Sequence, residues 1–463
     1  MPVFESSVQL PVPVSEAFAW HQRPGAFLRM VPPWENVQLQ QSDQSLTDGS
    51  KVVLRVPLLG SIKKTWVAEH FNFMQDQQFC DRQLTGPFGR FEHRHLFETV
   101  SANACRLTDR IEFQAPMGVL GKLAHPMITR RLQSTFAYRH RVLLSDLKRH
   151  HEFIGQPRKT IAVTGSTGLI GTVLCAFLNT GGHHVIRLVR REPRQPFYDG
   201  STTARWNPER NEIDASSLEG VDAVIHLAGE GIANKRWNAA RKEQIINSRV
   251  QSTKLLSTTL AGLNKPPAVF FSASAIGYYA PSGDQPLTES EPPGTGFLSE
   301  VCVAWEKATQ AAEQAGIRTV HGRVGVVLAR QGGALASQLP LFQWCVAGRL
   351  GSGKQYVPWI EIGDLVGAIY LCIMQQDMRG PVNLTAPEPV TNVEFTRTLG
   401  RVLRRPTIFP APAFALRLAL GEMADALLLA SLQVIPERLQ QTGFAFDYPT
   451  LEPALRHVLG VDK

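Results

Sequence analysis

Apolar and polar side chains alternate with a period of two in the first third of the chain. Because successive side chains of a strand point to opposite faces, this alternation predicts an antiparallel sheet. A short helix is predicted over Val14 to His21, and a long amphipathic helix over about 118–148. Residues 1–150 are therefore expected to form a curved sheet that grips one long helix. The alternating stretches lie near residues 3–10, 50–57, 62–74, 88–99 and 104–114.

The pattern changes after residues 151–158, a polar stretch with Gly155 and Pro157 that is predicted to be a linker. Beyond it, short apolar runs alternate with stretches of helical period. This predicts a parallel, doubly wound α/β sheet over residues 159–384 and a small helical module over residues 385–463. The predicted strands lie at 160–164, 184–189, 223–227, 268–272, 319–327 and 382–384. The predicted helices lie at about 172–180, 238–262, 297–315 and 362–375.

Composition narrows the class of protein. A chain of 463 residues with 43% hydrophobic and 19% charged residues is typical of globular proteins with about three domains, which excludes disordered and collagen-like classes. A net charge of +8 is small for this length, so no nucleic-acid partner is predicted. The six cysteines lack metal-binding or disulfide-framework spacing. No secretory signal and no membrane span are predicted, so the expected location is cytoplasmic.

A glycine-rich motif follows the first predicted strand of the α/β part. The segment Thr164-Gly-Ser-Thr-Gly-Leu-Ile-Gly171 has the spacing TGxxGxxG and precedes a predicted helix. In such motifs the first glycine permits a tight turn, the second lets the backbone approach a pyrophosphate, and the third allows close packing of helix on strand. The motif therefore predicts a dinucleotide site. Its predicted cofactor-binding residues are Gly165, Thr167, Gly168, Leu169, Ile170 and Gly171.

The end of the second strand indicates which dinucleotide is bound. An acidic residue there binds the ribose 2′-hydroxyl of NAD, whereas an arginine accommodates the 2′-phosphate of NADP. Here the chain reads Val189-Arg190-Arg191, and no acidic residue occurs before Glu192. We therefore expect NADP rather than NAD, with Arg190 as the phosphate ligand. The alternative is that both arginines belong to a solvated loop.

Several motifs downstream resemble those of the extended short-chain dehydrogenase/reductases, the NAD-dependent epimerase/dehydratase family. The resemblance covers residues 159–463 and is specific for an atypical branch whose members end in a small domain of unknown function. It implies that Leu227, Ala228 and Gly229 also contact the cofactor and that Ser274 orients a substrate oxygen. The motifs are His226-Leu-Ala-Gly229, Lys235-Arg-Trp, Asn247-Ser-Arg-Val250, Phe271-Ser-Ala-Ser-Ala275, Ser274-Ala-Ile-Gly-Tyr-Tyr279, Val301-Cys-Val-Ala-Trp-Glu306 and Gly443-Phe-Ala-Phe446.

The chain departs from the family at the residues that transfer protons. Members of the family typically use a Tyr and a Lys in a YxxxK pair, with an Asn nearby, and the chain has no YxxxK. Alignment through Trp305 and Glu306 places Leu298, Cys302 and Arg249 at the Tyr, Lys and Asn positions. Other polar groups are candidates for the missing role, each with a structural alternative. They are Tyr278, Tyr279, Glu230, Glu300 and Arg323.

The order of elements in residues 1–150 resembles the START/polyketide-cyclase-like helix-grip superfamily. That resemblance implies an apolar ligand between the sheet and the long helix. Strand alternation places Phe91, His93, His95 and Phe97 on one face, where they line a cavity or bind a metal. Since spacing supplies no third ligand, no metal site is predicted.

These observations favour an NADP-dependent oxidoreductase or epimerase-like enzyme that acts on an unidentified small molecule, fused to a domain for a hydrophobic ligand. A non-catalytic NADP sensor or scaffold is the alternative, because the usual proton-transfer pair is absent. A lipid or polyketide-type carrier with a vestigial nucleotide domain is a third, weaker hypothesis, because the phosphate loop is intact. The oligomeric state stays open.

Overall fold

The computed structural model describes residues 2–59, 62–115 and 124–461. Its N-terminal part is a seven-stranded antiparallel sheet in the order β1-β7-β6-β5-β4-β3-β2. The strands are β1 (Val3–Leu10), β2 (Gln38–Ser42), β3 (Lys51–Leu59), β4 (Ile62–Met74), β5 (Gln78–Thr85), β6 (Arg90–Ser101) and β7 (Ala104–Gln114). The helices are α1 (Val14–Gln22), α2 (Ala26–Met30) and α3 (His125–His151).

The N-terminal sheet and helix α3 bury a shared core, as the helix-grip pattern predicts. Phe79, Phe97 and Leu107 from the sheet pack with Phe18 of α1 and Leu143 of α3. Strand β6 buries the face that alternation assigned to it. The sequence did not predict β2, which is polar, or β5. Residues 118–123 of the predicted long helix lie outside the described residues.

The second part is an eight-stranded sheet in the order β11-β10-β9-β8-β12-β13-β15-β19. Neighbouring strands are parallel except for β10 and β11, so the predicted doubly wound sheet is confirmed. Its strands are β8 (Thr160–Thr164), β9 (His184–Val189), β10 (Thr202–Asn207), β11 (Glu212–Ile213), β12 (Ala223–His226), β13 (Val269–Ala275), β15 (Arg318–Val324) and β19 (Gly380–Leu384). Short strands outside it are β14 (Pro286–Leu287), β16 (Val326–Leu328), β17 (Tyr356–Val357), β18 (Trp359–Glu361), β20 (Val390–Thr391) and β21 (Gln433–Val434).

Helices cover both faces of this sheet. Apolar side chains of α4 and α9 pack on one face, and those of α5 and α7 pack on the other. The helices of the α/β part are α4 (Leu169–Thr180), α5 (Ala239–Ala261), α6 (Phe297–Lys307), α7 (Gln310–Gln314), α8 (Gly333–Gln343) and α9 (Ile362–Met374). The C-terminal helices are α10 (Asn392–Leu403), α11 (Ala413–Leu420), α12 (Glu437–Gln441) and α13 (Leu451–Leu459). Within the described ranges, no helix is both long enough and apolar enough to cross a bilayer.

Two predicted elements are each divided in the structure. The helix predicted over 297–315 consists of α6 and α7, because the Thr309 hydroxyl donates to the Glu306 carbonyl and ends the first helix. The strand predicted over 319–327 consists of β15 and β16. Gly325 separates them, and a side chain there would collide with the Pro358 carbonyl oxygen at 2.8 Å.

A buried arginine of α3 joins the N-terminal part to the α/β part. One guanidinium nitrogen of Arg149 lies 2.7 Å from Oδ1 of Asp364 in α9 and 2.7 Å from Oδ2 of Asp447. Gly367 makes room for this group, since a Cβ there would lie 1.7 Å from the guanidinium. Asp364 also accepts backbone hydrogen bonds from Asp447 and Tyr448. The end of α3 is therefore fixed to α9 by a buried arginine that contacts two carboxylates.

We expect Arg149→Ala to lower the free energy of unfolding by about 3–5 kcal/mol, because it leaves the buried Asp364 carboxylate without its cationic partner. Chemical denaturation followed by circular dichroism measures the change. Arg130→Ala, in an exposed position of the same helix, is the matched control. Equal denaturation midpoints for the two variants would contradict the assignment.

Candidate active site

The glycine-rich loop brings the backbone of β8 against that of β12. Gly165 has φ +65°, and a Cβ there would lie 2.7 Å from the Leu227 carbonyl carbon and 2.8 Å from the Ala228 nitrogen. A Cβ on Gly171 would lie 2.3 Å from the Gly165 carbonyl oxygen. Helix α4 begins directly after Gly168, so its first backbone N–H groups face the loop. This backbone cradle fits a pyrophosphate at a helix N-terminus.

Hydrogen bonds fix the ends of β8 and β12 relative to each other. The Thr164 hydroxyl accepts from the backbone nitrogens of Leu227 and Ala228 at 3.2 and 3.3 Å. It also lies 2.7 Å from Nδ1 of His226, whose Nε2 is 3.2 Å from the Ser252 hydroxyl. Burial lowers the pKa of His226 to about 3, so its imidazole is neutral at physiological pH. The predicted cofactor turn at 227–229 is therefore held by a neutral network.

Arg187 lies within β9 and Arg190 directly follows it, and the two side chains have different surroundings. Arg187 is buried in β9, donates to the Ser166 carbonyl at 2.5 Å, and forms an ion pair with Asp199. Arg187 thus holds the backbone of the glycine-rich loop at Ser166. The sequence did not predict this role. Arg190 follows the strand, and 65% of its side chain is exposed. Within the described residues, its one ion pair is with the exposed Glu209, at 3.1 Å. Such exposed pairs are weak, so Arg190 is available to an anion.

Ser274 lies at the end of β13 in a buried polar network. Its hydroxyl donates to Oε1 of Glu306 at 2.7 Å, and the residue is 2% exposed. Arg323 of β15 pairs with both carboxylate oxygens of Glu306, at 2.9 and 3.0 Å. Arg323 also donates to the Tyr279 hydroxyl, which donates to the Asn383 side chain at 2.6 Å. Donation to Glu306 uses the hydroxyl proton of Ser274 and leaves its oxygen as an acceptor.

Comparison with known proteins agrees with this geometry. The NAD dependent epimerase/dehydratase family matches residues 161–384, the family described as polyketide cyclase/dehydrase and lipid transport matches residues 10–136, and a domain of unknown function (DUF1731) matches residues 411–458. The epimerase family protein Mb2239 of Mycobacterium bovis is 44% identical over 295 residues, which are 64% of this chain and 96% of that protein. The chain belongs to the NAD dependent epimerase/dehydratase family.

Other relatives extend the similarity. The human epimerase family protein SDR39U1 is 36% identical over 302 residues, 65% of this chain and 99% of that protein. A crystal structure of its isoform 2 with NADPH has a TM-score of 0.59, 33% identity, and coverage of 65% of this chain and 98% of that one. A Corynebacterium glutamicum structure, titled nucleoside-diphosphate sugar epimerase, has a TM-score of 0.81 and 32% identity over 99% of this chain and 90% of that one. The family and both fused domains predicted from the sequence are thereby confirmed, and the NADPH in the human relative agrees with the NADP prediction.

The positions of the family's Tyr and Lys contain apolar or neutral side chains. Leu298 and Cys302 of α6 pack beside Gly277, where an added Cβ would lie 3.1 Å from Cβ of Leu298 and 3.8 Å from Sγ of Cys302. Burial raises the pKa of the Cys302 thiol to about 12, so it supplies no charge. Arg249, at the Asn position, lies against Gly229 and over the Trp305 ring. Hence the usual acid–base pair has no equivalent at these positions.

The other candidates for proton transfer differ in accessibility. Burial raises the pKa of Tyr279 to about 12, and its hydroxyl is held by Arg323 and Asn383, so it is a structural group. The Arg323 guanidinium lies over the Tyr278 ring, with Cζ of Arg323 3.4 Å from the ring centroid. Glu230, which is half-exposed, forms an ion pair with the buried Arg241. Arg323 is the ion-pair partner of Glu306, which is a structural role.

An open cleft of about 580 Å³ lies between the N-terminal parts of α5 and α6. Because these helices follow β12 and β13, the cleft opens at the carboxyl end of the parallel sheet, where α/β proteins bind their ligands. Glu300 lines it, as does Glu422 of the C-terminal module, which pairs with Lys242. Its other lining residues are Ala239, Glu243, Ile246, Asn247 and Phe297.

The predicted histidine face of β6 belongs to a separate polar cluster in the N-terminal part. His93 and His95 are buried there, and Asp81 of β5 lies beside both. The sequence placed the two histidines on one face but did not identify Asp81, because β5 was not predicted. The cavity adjoining this cluster measures about 10 Å³, which is room for about one water molecule.

We expect Gly165→Ala to lower the free energy of unfolding by about 1–3 kcal/mol, because alanine at positive φ is strained and its Cβ meets the backbone of residues 227–228. Thermal or chemical denaturation measures this change. Gly155→Ala is the matched control, since an added Cβ there meets nothing within 4 Å. The proposed close approach of the two strand ends is wrong if the two variants are equally stable.

Proposed function

We propose that this protein binds NADPH and is an NADP-dependent oxidoreductase or epimerase-like enzyme that acts on a small molecule. The observation that carries the proposal is the backbone cradle at residues 165–171 together with the exposed guanidinium of Arg190 at the end of β9. The cradle suits the pyrophosphate, and Arg190 suits the 2′-phosphate. Leu227, Ala228 and Gly229 form the adjoining side of the pocket, where β12 ends. The human relative solved with NADPH supports the same cofactor.

Arg190→Ala should lower NADPH affinity about ten- to a hundredfold, because a hydrogen bond to a charged group contributes about 1.5–3 kcal/mol. NADH affinity should change less than about twofold, as for other exposed substitutions. Calorimetric titration with each dinucleotide measures both values. Arg401→Ala, which removes an exposed arginine of the C-terminal module, is the control. Equal losses for NADPH and NADH would refute the role of Arg190.

The cleft at α5 and α6 is the proposed substrate site. When bound, the nicotinamide supplies hydride transfer. The chain's own residues must then bind and orient the substrate, and Ser274 is proposed to accept a hydrogen bond from a substrate hydroxyl or from the protonated product. The group that supplies the proton is not assigned. Nucleotide sugars belong in the substrate screen, because the Corynebacterium structure carries that name.

One observation favours the alternative of a non-catalytic NADP sensor or scaffold. The Tyr and Lys positions are occupied by Leu298 and the neutral thiol of Cys302, while the hydroxyl proton of Ser274 is engaged by Glu306. A protein with this arrangement can bind a dinucleotide without transferring a proton. Turnover therefore separates the two proposals, whereas cofactor affinity does not.

With a substrate identified from a panel of carbonyl compounds and nucleotide sugars, Ser274→Ala should lower kcat/KM at least about tenfold, the loss of one hydrogen bond of ~1.4 kcal/mol. NADPH affinity and the denaturation midpoint should stay close to wild type, since Arg323 still pairs with Glu306. Steady-state kinetics followed by NADPH absorbance measures the effect. Wild-type protein that binds NADPH and turns over no compound of the panel would favour the sensor.

The N-terminal domain is proposed to serve a ligand of its own. Its match to a family of polyketide cyclases and lipid transport proteins supports the predicted hydrophobic ligand. The cavity of about 10 Å³ beside His95 and His140 is too small for a lipid, so such a ligand would require the sheet and α3 to separate. We also propose a cytoplasmic location.

A further inference from the structure

Charged and imidazole side chains occupy the interior of the N-terminal domain, where a helix-grip core is otherwise apolar. Asp81, His93, His95 and Asp109 come from the adjacent strands β5, β6 and β7. Strand register pairs Asp81 with His93 and His95 with Asp109. His140 of α3 reaches the same place, with Nε2 2.7 Å from Oδ2 of Asp109. Burying such groups is costly unless they are paired or bind an ion.

Three of these side chains converge on one point. Oδ2 of Asp81 lies 3.3 Å from Nδ1 of His93 and 3.6 Å from Nε2 of His95, and the three ligand atoms lie within 4.8 Å of one another. The longer contact is beyond hydrogen-bond distance. Ligands at about 2.0–2.1 Å from a tetrahedral zinc ion are separated by roughly 3.3–3.5 Å. The spacing of Asp81 from the two nitrogens is therefore that of ligands around a single small cation.

Asp109 holds the two imidazoles from the opposite side. Its Oδ1 lies 3.0 Å from Nε2 of His93, in a hydrogen bond, and 2.8 Å from Nδ1 of His95. The second contact is misaligned, so Nδ1 of His95 is a buried nitrogen without a hydrogen-bond partner. A carboxylate behind a metal-binding histidine orients the ring and fixes which nitrogen is free. With its proton on Nε2, which faces Asp109, His93 presents Nδ1 to Asp81. His95 presents its Nε2 to the same carboxylate.

Aromatic packing fixes the two rings in place. Phe79 stacks on His95 with ring centroids 4.1 Å apart, and Phe136 meets the His93 ring edge-on at 5.4 Å. The Asp81 side chain keeps 17% exposure, whereas both histidine side chains are almost fully buried. An ion can thus approach from the Asp81 side without separating sheet and helix.

We propose that Asp81, His93 and His95 bind a divalent first-row transition-metal ion, with zinc as the best match. Two imidazole nitrogens favour such an ion over magnesium or calcium, which prefer all-oxygen sites. Three protein ligands leave a fourth position for water or for a donor atom of the domain's ligand, as in open zinc sites. The site lies in the N-terminal domain and does not depend on the function proposed for the α/β part.

The test uses the full-length protein, stripped with a chelator and titrated with Co²⁺ as the spectroscopic probe. We expect one equivalent to bind, with d–d absorption typical of nitrogen and oxygen ligands, and Zn²⁺ to displace it. His95→Gln should weaken binding at least about a hundredfold, more than the loss of an outer-shell partner costs. His151→Gln, a half-exposed histidine near the end of α3, should bind like wild type.

Two controls keep the result independent of misfolding. Denaturation midpoints and NADPH titration report whether each variant is folded, and Asp81→Asn provides a second, nearly isosteric variant. X-ray absorption of the zinc-loaded wild type should show two imidazoles and oxygen. Failure of wild type to bind a stoichiometric ion, sulfur in the coordination shell, or equal binding by His95→Gln and wild type would overturn the proposal and leave a metal-free ionic cluster.

Discussion

The close approach of Gly165 to the end of β12 is the constraint on which the candidate active site depends. Only a residue without a side chain can take φ +65° there while its Cα lies against the backbone of Leu227 and Ala228. That approach lets the Thr164 hydroxyl bind two backbone nitrogens of the neighbouring strand end. It also directs the chain into α4, whose N-terminus faces the loop. Phosphate loop, 227–229 turn and helix are thus one rigid unit.

The region that departs from the family is also held by packing and hydrogen bonds. Where other members place Tyr and Lys, this chain packs Leu298 and Cys302 against the loop after β13. Among the charged groups nearby, Glu306 and Arg323 neutralise each other and hold Ser274 and Tyr279 in fixed orientations. A paired, hydrogen-bonded network of this kind stabilises the orientation of its members.

Sequence reasoning succeeded where local patterns determine the structure. Period-two alternation identified the buried face of β6, and the glycine spacing located the tight turn between β8 and α4, because both depend on residues close in sequence. It failed where the structure depends on contacts between residues that are far apart in sequence. Strand β5 was missed since Asp81 occupies an inward position and breaks the alternation, and Arg187 was missed although it is the one charge in the apolar run 185–189. The Ser274–Glu306–Arg323 network joins residues from three elements, so no spacing rule could assemble it.

The same reasoning explains why the N-terminal domain was harder to interpret than the α/β part. Its fold depends on burial of apolar rings such as Phe18 and Phe97, which lie in predicted elements, and Phe79, which lies in β5. The Asp–His cluster opposes that pattern, because carboxylates and imidazoles inside a sheet cost free energy unless something compensates them. His140 and Asp109 compensate part of the charge within the cluster. On the Asp81 side, Oδ2 lies 3.3 Å from Nδ1 of His93 and 3.6 Å from Nε2 of His95. These three potential ligand atoms face one point, and an ion there would complete the compensation. A polar cluster that interrupts an apolar strand face therefore points to an ion-binding site. The same cluster breaks the alternation on which strand prediction relies.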